Sequence, residues 1–107
     1  MELLWTLRIR QAIGKRLFKL LSARRFGRFG ARSWVIAPNA VLNPANIRLG
    51  DDVLVANNCV LAAVPHTGVD CTLEIGDGCQ IGHFNHIYAT RSVVLGKNVL
   101  TANGVYI

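Results

Sequence analysis

Three histidines are the side chains of this 107-residue chain that are best suited to acid–base chemistry near neutral pH. An imidazole with its ordinary pKa of ~6.5 is largely neutral there, so it can accept a proton from an attacking hydroxyl group. His83 and His86 flank Asn85 in one short segment, and His66 lies apart from them. Because a lone histidine more often packs or faces solvent than catalyses, the elements that position these residues decide their role.

The three cysteines show no spacing typical of a metal site or a disulfide framework. Cys59 and Cys79 occupy equivalent places in the repeat described next, where a compact apolar side chain is expected. Cys71 lies in an insertion between two repeats, where we expect an exposed thiol. No neighbouring residue predicts its activation.

A six-residue period begins near Leu49 and returns in three passes, 49–61, 75–87 and 95–107. Self-similarity at a short fixed period predicts a solenoid whose coils bury side chains against the coils above and below. Laid over one another, the passes align Leu49 with Ile75 and Leu95, Val55 with Ile81 and Thr101, and Leu61 with Ile87 and Ile107.

Small residues recur four positions after the aliphatic ones and form two further columns: Val53, Cys79 and Val99, and Cys59, Asn85 and Val105. Asn85 is the exception, since a buried amide costs free energy unless its donors and acceptors find partners. A period of six fits three short, flat sides with sharp corners between them. The corner residues are of types that tolerate positive φ: Gly50, Asp51, Asp52, Asn57, Asn58, Gly76, Asp77, Gly78, Gly82, Gly96, Asn98, Asn103 and Gly104.

The repeated [Leu/Ile/Val]-Gly-x-x-x-x unit of residues 35–107 closely resembles the hexapeptide-repeat acyltransferase family. The resemblance implies a mainly β fold, a left-handed parallel β-helix, with an N-terminal amphipathic α-helix. We therefore divide the chain into a basic helix and connector, 1–34, and a β-helix domain, 35–107. Ile107 stands at an inward position with no cap after it, so we expect this domain to be truncated at its C-terminal end.

The formal net charge of +6 is concentrated near the N-terminus, where nine of the twelve Lys and Arg residues fall between Arg8 and Arg32. Residues 2–22 are predicted to form a helix with an apolar face opposite a basic one. The apolar face comprises Ile9, Ile13, Leu17, Leu20 and Leu21, the basic face comprises Arg8, Lys15, Arg16 and Lys19, and Trp5 and Phe18 lie at the borders.

This helix has several interpretations. No uncharged apolar run approaches the ~20 residues that span a bilayer, and no signal-peptide pattern is present. Packing on a neighbouring subunit and binding an anionic membrane surface through residues 2–32 are weighed equally. An organelle transit peptide and a nucleic-acid-binding arm are less favoured, and we expect no nucleic-acid partner.

A basic helix, a Phe-Gly-rich connector at 25–30 and an Asn-Pro-x-Asn-Ile motif at 43–47 resemble bacterial acetyltransferases that modify surface polysaccharide sugars. The resemblance implies acetyl-CoA-dependent O-acetylation, with acetyl-CoA as co-substrate and no permanently bound cofactor. It also implies a homotrimer in the cytoplasm, with the membrane's cytoplasmic face as a further location. The predicted exposure of Leu54, Val60, Leu100 and Tyr106 is consistent with such assembly.

The family's catalytic histidine is expected beyond Ile107, so no catalytic or acetyl-CoA-binding residue is assigned within the chain. His86, together with Asn85, is predicted to contact the acceptor. The insertion at 62–72, which carries His66, is a candidate for shaping the substrate site, although a surface loop without function is the default.

Two alternatives belong to other classes. Carbonic anhydrase relatives of this fold bind zinc through three histidines, but the spacing of His83 and His86 differs from theirs, so we expect no metal. A noncatalytic trimeric scaffold or membrane-surface binding module with the same fold is the alternative function.

Overall fold

The computed structural model describes residues 2–65 and 70–107, apart from the side chains of residues 2–7 and 11. Helix α1 spans Glu2–Ser22, as predicted, and 3-10 turns occupy Ala23–Arg25 and Pro44–Asn46. The strands in chain order are β1 (Arg28–Phe29), β2 (Trp34–Val35), β3 (Ala40–Leu42), β4 (Ile47–Leu49), β5 (Leu54–Val55), β6 (Val60–Ala63), β7 (Thr72–Ile75), β8 (Gln80–Ile81), β9 (His86–Ala89) and β10 (Ser92–Leu95).

Consecutive strands enter three parallel sheets in rotation. Sheet A has the order β1-β4-β7-β10, sheet B β2-β5-β8, and sheet C β3-β6-β9. Three successive strands therefore make one coil, and each coil is hydrogen-bonded to the next. In the fourth coil, after β10, single parallel bridges join Leu100 to Gln80 and Tyr106 to His86. The predicted mainly β fold with an N-terminal helix is confirmed.

The predicted columns are confirmed by the strand register. Leu49 pairs with Ile75, which pairs with Leu95 in the following coil. The equivalent pairs in sheets B and C are Val55 with Ile81 and Leu61 with Ile87. Since these partners are parallel and in register, aliphatic side chains lie over one another on the buried side of every sheet.

The core lies along these columns. Its largest fully buried apolar side chains are Ile47, Leu49, Leu61, Leu73, Ile75, Ile81, Ile87, Val35, Val53 and Val55. Burying such a side chain stabilises the fold by roughly 1.5–3 kcal/mol relative to its exposure. The interior therefore provides the main stabilisation, and the site residues lie on the outer faces and corners of the sheets.

The corners require residues that tolerate positive φ, as predicted, and also residues small enough for the backbones of adjacent coils to approach closely. Positive φ occurs at Asp52, Asn58, Gly78, Asn98 and Gly104, as predicted, and additionally at Arg32, Ala37, Asn43 and Phe84. Several corner glycines, although they tolerate positive φ, do not adopt it. A Cβ on Gly76 would lie 2.7 Å from the carbonyl carbon of Gly96 in the next coil, so that glycine is required for close approach of the backbones.

The predicted domain boundary at residue 35 falls inside the first coil, because β1 and β2 already pair with β4 and β5. Phe29-Gly30 is the counterpart of Leu49-Gly50. The sequence did not predict this first repeat, because Arg32 occupies the left-handed corner position that Asp52 fills in the second coil. An arginine is an unusual residue at such a turn, so composition concealed the unit.

Cys71 is buried, and the expectation of an exposed thiol is wrong. Its Sγ donates a hydrogen bond to the carbonyl of Ala89, 2.9 Å away in the next coil. Cys59 and Cys79 are buried as predicted, and burial raises the pKa of the Cys59 and Cys71 thiols. Because a thiolate is the reactive form, these two side chains are poor nucleophiles.

Helix α1 packs on the first coil through the side that carries Lys15, Phe18 and Lys19. Its apolar face points outward. Phe18 contacts Phe26 edge-to-face, with ring centroids 6.2 Å apart. The Lys15 and Lys19 ammonium groups lie 4.8 and 4.6 Å from the Trp34 ring centroid. Among the described residues, no helix combines the length and apolar character needed to cross a membrane.

Candidate functional site

Strand β9 places His86 on the outer surface of sheet C. Along this strand the side chains alternate, so His86 and Tyr88 face outward while Ile87 and Ala89 are buried. Val60 of the second coil and Tyr106 of the fourth flank His86 in register, as the sequence predicted. His86 is half-buried in this column.

Three rings form what we call the aromatic face: His86, Tyr88 and Tyr106. The His86 and Tyr106 rings are stacked, with centroids 5.4 Å apart and planes at 27°. The His86 and Tyr88 rings are tilted, with centroids 6.1 Å apart. Tyr88 was not predicted, although its position two residues after His86 places it on the same side of an alternating strand.

The aromatic face combines flat apolar surface with polar edges. Tyr106 is 77% exposed and Tyr88 is 40% exposed, so both rings are accessible to a ligand. Their hydroxyl groups donate and accept hydrogen bonds, and the imidazole of His86 supplies one donor and one acceptor when neutral. Such a surface suits a ligand that presents both an apolar face and hydroxyl groups.

Asn85 is only 1% exposed and its amide is engaged within the corner. Its Nδ2 donates to the carbonyl of Ala102, 2.7 Å away in the next coil, and to that of His83 at 3.1 Å. Cys59, one coil earlier, donates similarly to the Gly82 carbonyl at 3.0 Å. Asn85 Oδ1 is buried and has no hydrogen-bond partner within the described part of the chain. The Asn85 amide therefore joins two consecutive coils. That Asn85 contacts an acceptor stays a prediction.

His83 is exposed at the second corner, as predicted, and participates in a ladder between coils. Its Nδ1 accepts a hydrogen bond from the backbone N–H of Asn57 at 3.0 Å. Its own N–H donates to Asn103 Oδ1 at 2.8 Å. At the first corner, Asp51 and Asp77 accept backbone N–H bonds from the preceding coil in the same manner. An accepting Nδ1 in a neutral imidazole leaves the proton on Nε2.

Phe84 is a further candidate that the sequence analysis missed. It has φ 57° and is 62% exposed, although a bulky side chain rarely adopts the left-handed region. The neighbouring coils place Asn58 and Gly104 at the equivalent corner, with φ 61° and 71°. Strained residues concentrate at functional sites, so Phe84, which lies two residues before His86 in the chain, is a further candidate contact.

The outer surface of sheet A carries a separate cleft of about 400 Å³. Cationic and acidic side chains mix on its walls, where Arg28, Arg48 and Lys97 lie with Glu74 and Asp77. Arg28 pairs with Asp51 at 3.3 Å at the adjoining corner. The repeat pattern specifies the inward columns, so a cleft built from outward residues could not be predicted from it.

The corner ion pair between Arg32 and Asp52 shifts the pKa of both side chains. Arg32 Nε and a terminal nitrogen of the same guanidinium donate to the Asp52 carboxylate at 2.6 and 2.9 Å. These hydrogen bonds lower the pKa of Asp52 and raise that of Arg32. The pair is solvent-exposed and links the corners of the first two coils.

Across residues 2–65 and 70–107, no group of three His, Cys, Asp or Glu side chains is placed to hold a metal ion. His66 and the three residues that follow it, 67–69, lie outside the described residues. The expectation that the chain holds no metal therefore stays a prediction.

No protein-family model matches this chain. Neither the curated proteins nor the solved structures include a significant match to it. The functional inference therefore depends on the repeat register, the sheet topology and the geometry of the outer faces.

Proposed function

We propose that the chain is a left-handed parallel β-helix of the hexapeptide-repeat acyltransferase type, and that it serves acetyl-CoA-dependent O-acetylation of a sugar in bacterial surface polysaccharide biosynthesis. The observation that carries the proposal is the coil-to-coil register of short parallel strands, with one glycine column at the first corner. That column comprises Gly30, Gly50, Gly76 and Gly96. A crystal structure with right-handed coils would contradict the family assignment.

In this proposal the aromatic face receives the acceptor sugar. A pyranose ring has an apolar C–H face that packs on the Tyr106 and Tyr88 rings, and hydroxyl groups that bond to their phenol oxygens and to His86. Phe84, at the preceding corner, extends the apolar contact. The exposure of Tyr88, Phe84 and Tyr106 supports this assignment.

The proposed reaction transfers an acetyl group from sulfur to oxygen. A histidine general base removes the proton of the acceptor hydroxyl, whose oxygen attacks the thioester carbonyl of acetyl-CoA. A hydrogen-bond donor stabilises the tetrahedral oxyanion, which collapses as the C–S bond breaks and coenzyme A leaves with a proton. His86 is assigned to acceptor contact, and no residue of 1–107 is assigned as the base.

We also propose assembly as a homotrimer in the cytoplasm, with acetyl-CoA bound in a groove between neighbouring subunits. Leu100 is 75% exposed and Tyr106 is 77% exposed, and exposed apolar side chains on flat sheets favour association. Leu54 and Val60, also predicted to be exposed, are half-buried within the chain and contribute less. Light scattering coupled to size exclusion tests the trimer.

Transfer of labelled acetyl groups tests the activity directly. The protein from the complete reading frame that contains this sequence is incubated with radiolabelled acetyl-CoA and a panel of sugars and surface polysaccharides. We expect His86→Ala to raise the KM for the acceptor by roughly tenfold, the loss of a few hydrogen-bond and stacking contacts, with a smaller change in kcat.

The matched control is His83→Asn, because Asn103 shows that an amide oxygen can accept the corner N–H bond that His83 accepts. This variant should keep the acceptor KM of the unmodified protein. An unchanged KM in His86→Ala would contradict the acceptor site, and absence of transfer to the whole panel would contradict the enzyme assignment.

A noncatalytic trimeric scaffold or membrane-surface module is the second candidate. It is favoured by the exposed apolar side chains of the fourth coil and of α1, which suit assembly whether or not catalysis occurs. A stable trimer that transfers no acetyl group would support this alternative.

A further inference from the structure

The outward side of helix α1 carries a continuous apolar stripe. Residues three and four apart on a helix share a face, so these side chains form one surface. The exposed fractions are 53% for Ile9, 60% for Ile13, 51% for Leu17, 78% for Leu20 and 66% for Leu21. A stripe of five large, solvent-exposed aliphatic side chains indicates a contact surface.

The helix cannot bury this stripe against its own coils without giving up the contacts on its other side. Phe18 packs on the buried Phe26, and Lys15 and Lys19 lie over Trp34. Lys19 also lies 5.5 Å from the centroid of Phe29. These cation–π and aromatic contacts fix the rotation of the helix, so the apolar stripe is presented outward.

Arginines border the stripe, and Glu2 at the start of α1 is the helix's single acidic residue. Arg10 and Arg16 are exposed on α1, and Arg24 and Arg25 are exposed just after it. No Asp or Glu occurs between residues 3 and 50. Arginine stems lie along apolar surface while their guanidinium groups reach a polar layer.

We propose that this stripe, Ile9–Leu21 with its arginine border, binds the interface of an anionic lipid bilayer with α1 lying in the plane of the membrane. Aliphatic side chains enter the boundary between headgroups and acyl chains, and arginines contact the phosphate groups. A second copy docked stripe to stripe would bring two arginine borders together. Like charges oppose that arrangement, whereas anionic headgroups favour the lipid one.

Vesicle flotation with the full chain tests the proposal. The chain should float with vesicles of phosphatidylglycerol and phosphatidylcholine, and much less with phosphatidylcholine alone. The bound fraction should fall between about 0.1 M and about 1 M salt, because the Debye length shortens from ~10 to ~3 Å. Equal flotation with both vesicle types at all salt concentrations would contradict the role of the arginines.

Matched variants test the two parts of the surface. Ile13→Gln with Leu20→Gln should lower vesicle affinity roughly tenfold or more, since two apolar anchors are lost. Val94→Gln with Leu42→Gln removes two exposed apolar side chains from sheets A and C and should leave affinity unchanged. Arg16→Gln should weaken binding more than Arg91→Gln, an exposed arginine away from α1.

All six positions are exposed, so the variants should unfold at the temperature of the unmodified chain, which circular dichroism checks. Absence of flotation with anionic vesicles, or equal loss in both pairs of variants, overturns the proposal. If the unmodified chain does not bind vesicles, and the double variant Ile13→Gln with Leu20→Gln dissociates an oligomer, the stripe is a protein interface and the lipid assignment is wrong. None of these results depends on acetyl transfer, so the proposed function is tested separately.

Discussion

Phe84 shows a conflict between local backbone preference and side-chain identity. Its corner position is occupied by asparagine and glycine in the neighbouring coils, Asn58 and Gly104, and all three have positive φ. A left-handed conformation costs a bulky L-residue roughly 1–2 kcal/mol. Since Phe84 is largely exposed, burial does not offset this cost within the chain, which supports a binding role.

Phe84→Asn is therefore expected to raise the free energy of unfolding by about 1 kcal/mol, because asparagine tolerates the left-handed region better. The reciprocal variant, Asn58→Phe, should lower it by about the same amount. Urea unfolding followed by circular dichroism measures both. If Phe84→Asn destabilises the chain, the aromatic ring has a structural function that its exposure conceals.

Asp52 is expected to make the free energy of unfolding decrease in acid. Arg32 lowers the folded-state pKa of Asp52, so the pair stabilises the fold above the ordinary aspartate pKa of ~3.9 and loses this contribution as the pH falls through the lowered value. Asp52→Asn keeps a residue that tolerates φ 57°. The variant should melt below the unmodified chain at pH 7, and the difference should vanish near pH 2.

Removing the other partner provides the control for this prediction. Arg32→Gln should reproduce the lower melting temperature at pH 7 and the convergence in acid. A difference between Asp52→Asn and the unmodified chain that persists at low pH would show that the amide changes the corner by some means other than charge.

The corners of the sheets determine how closely consecutive coils approach. Side-chain acceptors at the corners bind backbone N–H groups of the preceding coil, as Asp77 does for Asp51 at 2.8 Å. Buried donors at the adjoining positions bind carbonyl groups of the following coil, as Cys79 does for Gly96 at 2.9 Å. These bonds satisfy backbone groups that turn out of the sheets.

Glycine is required at such a corner only where another coil covers it. A Cβ on Gly76 would lie 2.7 Å from the Gly96 carbonyl, whereas a Cβ on Gly96 would meet no described atom within 4 Å. Gly76→Ala should therefore lower the free energy of unfolding by about 1–3 kcal/mol, as overpacking does. Gly96→Ala should change it by less than about 0.5 kcal/mol.

Chemical denaturation of the two alanine variants gives this comparison directly. Neither glycine has positive φ, so backbone conformation should not contribute to the difference. Equal destabilisation of both variants would mean that the corner requires glycine for conformational freedom rather than for space.

The whole molecule is elongated, with principal extents of 50 × 27 × 22 Å. The coils contact their neighbours in sequence through three sheets, and the helix closes one side of the first coil. In such an arrangement stability is approximately the sum of coil stabilities and nearest-neighbour interfaces. Buried thiols in the second and third coils can report how far these coils unfold together.

We expect all three cysteines to react with a thiol reagent at pH 8 at least about a hundredfold more slowly in the native chain than in denaturant, because each is inaccessible. Burial also raises the pKa of Cys59 and Cys71, which reduces the thiolate fraction. Intact-mass spectrometry should show Cys59 and Cys79 labelled in one phase.

Single Cys→Ser variants assign the labelled positions. Fast labelling of Cys71 in the native chain would restore the sequence-based expectation of an exposed thiol. Labelling of Cys79 well before Cys59 would show that the coils open separately rather than as a unit.

Much of the core could be predicted because its signal is local and repeated. Every second residue of a strand faces the interior, so the columns through Leu49, Val55 and Leu61 follow from spacing alone. The position of His86 between Val60 and Tyr106 follows from the same register. The outward position of Tyr88 could be predicted from strand alternation. The left-handed conformation of Phe84 could be recognised only from the backbone of the folded chain.

The extent of α1, the aliphatic columns and five of the nine left-handed residues in the described part of the chain could be predicted, since periodicity and turn residues encode these features within a few positions. Three other features could be recognised only from contacts in the folded chain: the apolar side of α1 points outward, Cys71 is buried, and Gly76 is required for space. Each of these depends on which surfaces meet across coils distant in sequence, and a hydrophobic pattern specifies a face without specifying its partner.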